Sequence, residues 1–206
     1  MYRITLLRGD LGYEHVERLA GSLFVPIDLE TDRLDFNRED WHLTGQIQLV
    51  ALYDITCDEV LLVSIDETHP PYRLIGLIGS HPVLVHNARF DLRMIAHYWG
   101  VLPPDFLCTK QAAQLLKGTA EGTSLQALLE EYLGVEVSKD LELRTSGFRW
   151  PLTEAQIRYA AEDVVHLPDL AIALLSRLTP EQLEALDREK ARLMRTLKTY
   201  LKVPCT

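Results

Sequence analysis

Cysteine is scarce in this 206-residue chain: Cys57, Cys108 and Cys205 are the three present, far apart and odd in number. That excludes a disulfide framework, and the lack of any C-x-x-C or His/Cys cluster excludes the usual zinc patterns. No apolar run reaches the ~18 residues of a membrane-spanning helix. The opening stretch MYRITLLRGDLGYEHVERLAG has no long apolar core, so no secretory leader is expected and a reducing, cytoplasmic setting is. Positive charge is short as well: 21 Lys and Arg against 30 Asp and Glu leave a formal net charge of −9. A protein that coats long nucleic acids through a basic face is thereby excluded. One that neutralises its own carboxylates with bound cations is not.

What is present is an ordinary globular composition, 47% hydrophobic and 25% charged, with length for one domain and a sizeable core. Strand signals fall at 23–29, 46–54, 60–66 and 82–87, the middle two joined by a polar turn as a hairpin. Periodicity predicts helices over 10–21, with Asp10 as N-cap and Gly21 as stop, and over 88–100, with Asn87 as N-cap and Gly100 as stop. Further helices are predicted at 109–117, 124–133, 153–167, 169–178 and 180–201. Pro168 predicts a break at His166–Leu167, and Thr179-Pro180 reads as an N-cap and first helical residue. Residues 134–152 read as an ordered surface loop. Early strands followed by helices predict an α/β fold, a mixed sheet flanked by helices with a helical C-terminal extension.

Most of the acids must be solvated, but a few sit beside core-facing patterns. Asp28 and Glu30 end the first apolar strand on one face, ~7 Å apart along the chain, where like charges repel and resist desolvation. Asp91 shares a helix face with Met94, Ile95 and Tyr98. In 158-RYAAEDVVHLPDL-170, Tyr159, Asp163 and His166 line one flank of an apolar stripe, so a phenol and a carboxylate reach the same cleft. Carboxylates gathered from separate elements call for hard divalent cations with oxygen ligands, Mg²⁺ or Mn²⁺, which can clamp the oxygens of a phosphodiester.

At these residues the sequence resembles the DEDD superfamily of 3′–5′ exonucleases, and within it the ribonuclease D family. The motifs are 27-IDLETD-32, 84-LVHNARFDLRMI-95 and 159-YAAED-163, in order. The tyrosine four residues before the last acid is similar to the DEDDy branch. Also similar are 45-GQIQLVALYD-54, 124-SLQALLEEYLG-134 and 149-RWPLTEAQIRYAAEDVVHL-167. The resemblance implies an RNase H-like fold over 1–178, with 179–206 as a helical extension and no full HRDC domain. It implies that Asp28, Glu30, Asp91 and Asp163 bind two divalent ions, Asp28 bridging them, Glu30 and Asp163 helping to hold the ion that activates water, and Asp91 serving the other. Tyr159 is implied to orient the attacking water. The implied activity is metal-dependent 3′–5′ trimming of single-stranded RNA, tRNA-like precursors included, with release of nucleoside 5′-monophosphates. A DNA exonuclease of the same superfamily and an inactive nucleic-acid-binding module are the alternatives.

Other residues carry two readings. His86 and Asn87 are a strand end and an N-cap, or contacts to the terminal nucleotide. Phe90 is core or a base-stacking platform. Lys139 is a solvated charge or a phosphate contact. Arg144, Arg149 and Arg158 form a small basic rim, and His166 packs beside Pro168 or supports Asp163. Trp150 stands where the family often carries arginine before Pro-Leu. The three cysteines read as packing or incidental residues.

Overall fold

The computed structural model describes residues 2–32, 34–35, 37–66, 68–137 and 147–201; Lys139, Arg144 and Cys205 lie outside them. Strands β1 (Arg3–Arg8), β2 (Val25–Asp32), β3 (Gln46–Asp54), β4 (Glu59–Ser64), β5 (Val83–Val85) and β6 (Phe106–Cys108) form one sheet in the order β1-β4-β3-β2-β5-β6. β3 runs antiparallel to β2 and β4, whereas the pairs β1–β4, β2–β5 and β5–β6 are parallel. The helices are α1 (Tyr13–Ala20), α2 (Tyr72–Ser80), α3 (Ala88–Trp99), α4 (Thr109–Lys117), α5 (Leu125–Leu133), α6 (Glu154–Val165), α7 (Leu167–Leu175) and α8 (Pro180–Leu197). The mixed sheet flanked by helices is the expected fold class.

The strand pleat sorts the core. Ile27, Leu29, Val50, Leu52, Leu61 and Val63 face a cluster filled by α1, α2, α3 and the end of α8. Leu49, Ala51, Val60 and Leu62 face the opposite side, covered by Ala160, Ala161 and Val164 of α6 with Leu167 of α7. Both faces of the central strands are therefore buried, which explains why β3 and β4 read as nearly continuous apolar runs. A third cluster joins α4, α5 and α7 to Leu186 of α8. Thus α8 is packed on the domain, and Lys190 adds an ion pair to Asp105 at 2.9 Å. Among the described residues no helix is long and apolar enough to cross a membrane.

Several boundaries differ from expectation. β1, α2 and β6 are not among the predicted elements: β6 has three residues, β1 is an edge strand with a mixed burial pattern, and α2 follows Pro70-Pro71 and contains Gly76 and Gly79. The helix predicted from Asp10 begins at Tyr13 after Gly12. Asp10 instead accepts the backbone N–H groups of Arg73 and Leu74 at 2.9 and 3.0 Å, satisfying the first turn of α2 from across the fold. β2 continues to Asp32, so Asp28 and Glu30 lie within the strand and not at its end. Asn87 precedes α3 but its side chain makes no capping bond. The break near Pro168 is present: α6 ends at Val165 and α7 takes Pro168 into its first turn.

At the sheet edge where β3 ends and β4 begins, Asp54 and Glu59 are buried at 0% and 3% exposure. Arg18 of α1 bonds both, to Asp54 at 2.7 Å and Glu59 at 2.6 Å, while Arg3 and Thr5 of β1 bond Glu59 at 2.9 and 2.6 Å. Burial alone would raise both carboxyls. The bonds from Thr56 and Arg18 hold Asp54, and those from Arg3 and Thr5 hold Glu59, below the usual carboxylate range. Arg18→Ala strands two buried carboxylates and is expected to cost about 2–3 kcal/mol, less than a fully buried pair because Arg18 keeps part of its side chain in water. A depressed folded-state pKa stabilises above the unfolded value and is lost as pH falls through the folded one. The difference between wild type and variant, measured by urea unfolding, should therefore be full at neutral pH and shrink below about pH 4.

Candidate active site

Asp28 and Glu30 alternate with Ile27 and Leu29, so burying the leucine and isoleucine in one core forces the acids to the other face of β2. That face is the one α6 covers, and α6 carries Asp163. Carboxylate oxygens of Asp28, Glu30 and Asp163 lie within 4.8 Å of one another. Asp91 completes the group from the first turn of α3, just beyond β5, at 1% exposure. Its Oδ1 has no hydrogen-bond partner among the described residues.

The electrostatics follow from this crowding. Asp28 is pushed well above its ordinary value, first by lost solvation and then by the charges of Asp91, Asp163 and Glu30. Asp91 is pushed up to about 7 by burial, with the backbone groups of Asp91, Leu29 and Asn87 pulling it down and Asp163 raising it again. The set is oxygen-only, with an orphaned buried oxygen at its margin. It suits a small divalent cation and is unfavourable without counter-charge.

A strap closes the cleft. β3 holds one extra residue opposite Glu30 and Thr31, a bulge at Gln48. The Gln48 amide oxygen accepts the N–H of Phe148 at 2.7 Å, and the Gln156 side chain of α6 donates to the Gly147 carbonyl at 2.7 Å. Arg149 bonds Asp32 at 2.8 Å. Phe148, 1% exposed, then lies 5.9 Å from the ring of Tyr159, which stands one helical turn before Asp163. At the turn from β2 to β3, Gly45 has no room for a Cβ, which would come within 1.8 Å of the Asp32 carbonyl oxygen.

The remaining sequence candidates are scattered around this centre. His86 at the end of β5 turns its ring to the Thr109 hydroxyl at 2.9 Å, and burial together with Lys110 lowers its pKa to about 4. Phe90 stacks on Trp41 at 5.4 Å and 6°. Arg149 is the rim arginine tied to the site edge, whereas Arg158 is exposed on α6. Cys57 is exposed and Cys108 buried, both free thiols. Sequence reasoning missed Trp41 and Gln48. Gln48 had a signal, a lone amide in an apolar strand; Trp41 lies in a turn whose path the local sequence does not specify.

The 3′–5′ exonuclease family model matches residues 11–179. Ribonuclease D of Gluconacetobacter diazotrophicus is 32% identical over 169 residues, covering 81% of this chain and 40% of that protein. DNA polymerase I of Aquifex aeolicus is 30% identical over 192 residues, covering 92% of this chain and 30% of that protein. Among solved structures, Brucella melitensis NrnC bound to pGG aligns with a TM-score of 0.77 at 26% identity, over 98% of this chain and 93% of that one. The chain thus spans less than half the length of those curated relatives, and residues 11–179, which the family model matches, include Asp28, Glu30, Asp91, Tyr159 and Asp163. It belongs to the 3′–5′ exonuclease family.

Proposed function

We propose that the protein is a metal-dependent 3′–5′ exoribonuclease of the DEDDy branch, removing nucleoside 5′-monophosphates from single-stranded RNA ends. The observation that carries this reading is the convergence of Asp28, Glu30 and Asp163 within 4.8 Å, with buried Asp91 beside them. Asp28, Glu30, Asp91 and Asp163 would hold two Mg²⁺ or Mn²⁺ ions. When bound, such ions lower the pKa of water and stabilise charge on a phosphoryl group. Tyr159 sits on the same helix face as Asp163, and a phenol of pKa ~10 suits holding the hydrolytic water in line better than taking its proton at pH 7. Asn87, whose side chain is not used as a cap, and Phe90, stacked on Trp41, would contact the terminal nucleotide.

RNA is favoured over DNA by the ribonuclease D relatives, and tRNA-like 3′ ends are the substrates the resemblance suggests. The DNA reading draws support from the DNA polymerase I relative. Trimming of matched end-labelled RNA and DNA oligonucleotides separates the two: RNA should be shortened at least tenfold faster, with loss of all activity in EDTA.

Asp28→Asn or Asp163→Asn should lower turnover by about 10³-fold or more, since each removes part of a contribution of several kcal/mol. In thermal unfolding, Mn²⁺ should raise the wild-type Tm and leave Asp28→Asn unmoved. Without metal that variant should melt no lower than wild type, because a like-charge repulsion has gone. Tyr159→Phe should cost about a hundredfold in kcat through misplacement of water, with the Mn²⁺-induced rise in Tm retained.

A further inference from the structure

Beside the carboxylates, at the same edge of the sheet, a groove of about 580 Å³ opens between the ends of β1 and β4 and the Phe148–Trp150 strap. It continues the catalytic cleft: Gln48 and Phe148 line it, and the same two residues pin the strap that packs on Tyr159. Its cationic groups are Arg8, from the last position of β1, and Arg149, from the strap. Asp32 and Asp66 offset part of this charge, and Arg8 is the lining cation that no carboxylate among the described residues pairs. Its guanidinium lies 5.2 Å from the centroid of the Trp150 ring. Arg149 bonds Asp32 at 2.8 Å, yet its side chain keeps 55% exposure. The lining carboxylate, Asp66, bonds Thr68 and His69 of its own turn.

Trp150 is the aromatic element. It is 38% exposed, and the Arg8 guanidinium over its ring helps to orient it. An exposed indole with one guanidinium over its ring, and a second arginine next to it in the chain, fits a base and its phosphate: the open ring face can stack any base, and the arginines supply charge for the backbone.

We propose that this groove is a subsite for nucleotides upstream of the 3′ terminus, Trp150 stacking a base and Arg8 with Arg149 holding the backbone phosphate. It rests on the exonuclease reading above and extends it: the chain should distinguish substrates by length, because a dinucleotide is too short to occupy both the carboxylate cleft and the groove.

The test is a length series. With RNA of two, three, five and eight nucleotides, Trp150→Ala and Arg8→Gln should each raise KM for the five- and eight-mers about tenfold, the size expected of one stacked base, with kcat kept. Dinucleotide turnover should stay within twofold of wild type. Trp150→Phe should recover most of the loss, and Arg8→Gln should reduce the salt slope of binding by about one. Equal losses at every length, or no loss at any, would overturn the subsite. Binding of the five-mer to the Asp28→Asn protein, with and without Trp150→Ala, keeps the two readings apart. If the wild type cuts no RNA but Trp150→Ala still weakens five-mer binding, the groove stands and the catalytic reading fails. If RNA is cut and binding is indifferent to Trp150, the groove fails and the catalytic reading stands.

Discussion

Three carboxylates with oxygens within 4.8 Å of one another, and a fourth sealed beside them, cannot all stay ionised without a positive counter-charge. This repulsion is the constraint on which the rest of the active edge depends. The fold meets it by rigidity: Asp28 and Glu30 are carried by a central strand whose opposite face lies in the core, Asp163 by a helix pressed on that strand, and Asp91 by a helix that starts where β5 ends. None of these supports can relax far enough to spread the charges. Their separation is set by packing of leucine, isoleucine and alanine residues that take no part in chemistry.

The opposite edge of the sheet solves a similar problem with protein groups alone. Asp54 and Glu59 are buried to a degree similar to Asp91, but Arg18, Arg3, Thr5 and Thr56 satisfy them and keep them ionised. The contrast is between an acid cluster bridged by arginine and the candidate site. In the first, Arg18 sits between the carboxylates; beside the second, the strap arginine Arg149 bonds Asp32. Both clusters offer metal-like donor spacing.

The strap over β2 and β3 joins the site to its surroundings. A bulge at Gln48 turns an amide towards Phe148, Phe148 packs against Tyr159, and Arg149 and Trp150 extend the same segment towards β1. One irregularity in a strand therefore positions the tyrosine, closes one wall of the cleft and builds a second groove beside it.

Much of this was legible in the sequence. Central strands announce themselves because both faces are buried, and α3 to α8 because their apolar residues recur at helical spacing. The site acids could be picked out because each is polar in an apolar pattern, and their order along the chain matches a known motif set. The edge strands β1 and β6 were silent, one half-exposed and the other three residues long, and α2 was hidden behind the prolines and glycines around it. The sequence by itself determined which side chains share a strand face or a helix face, because the periods of 2.0 and 3.6 are properties of the backbone. Only tertiary structure decided that Asp10 caps a helix more than sixty residues away, that Gln48 is the extra residue of a bulge, and that Arg8 meets Trp150. Those contacts join residues distant in the chain, and no local pattern encodes which distant partner a polar group will find.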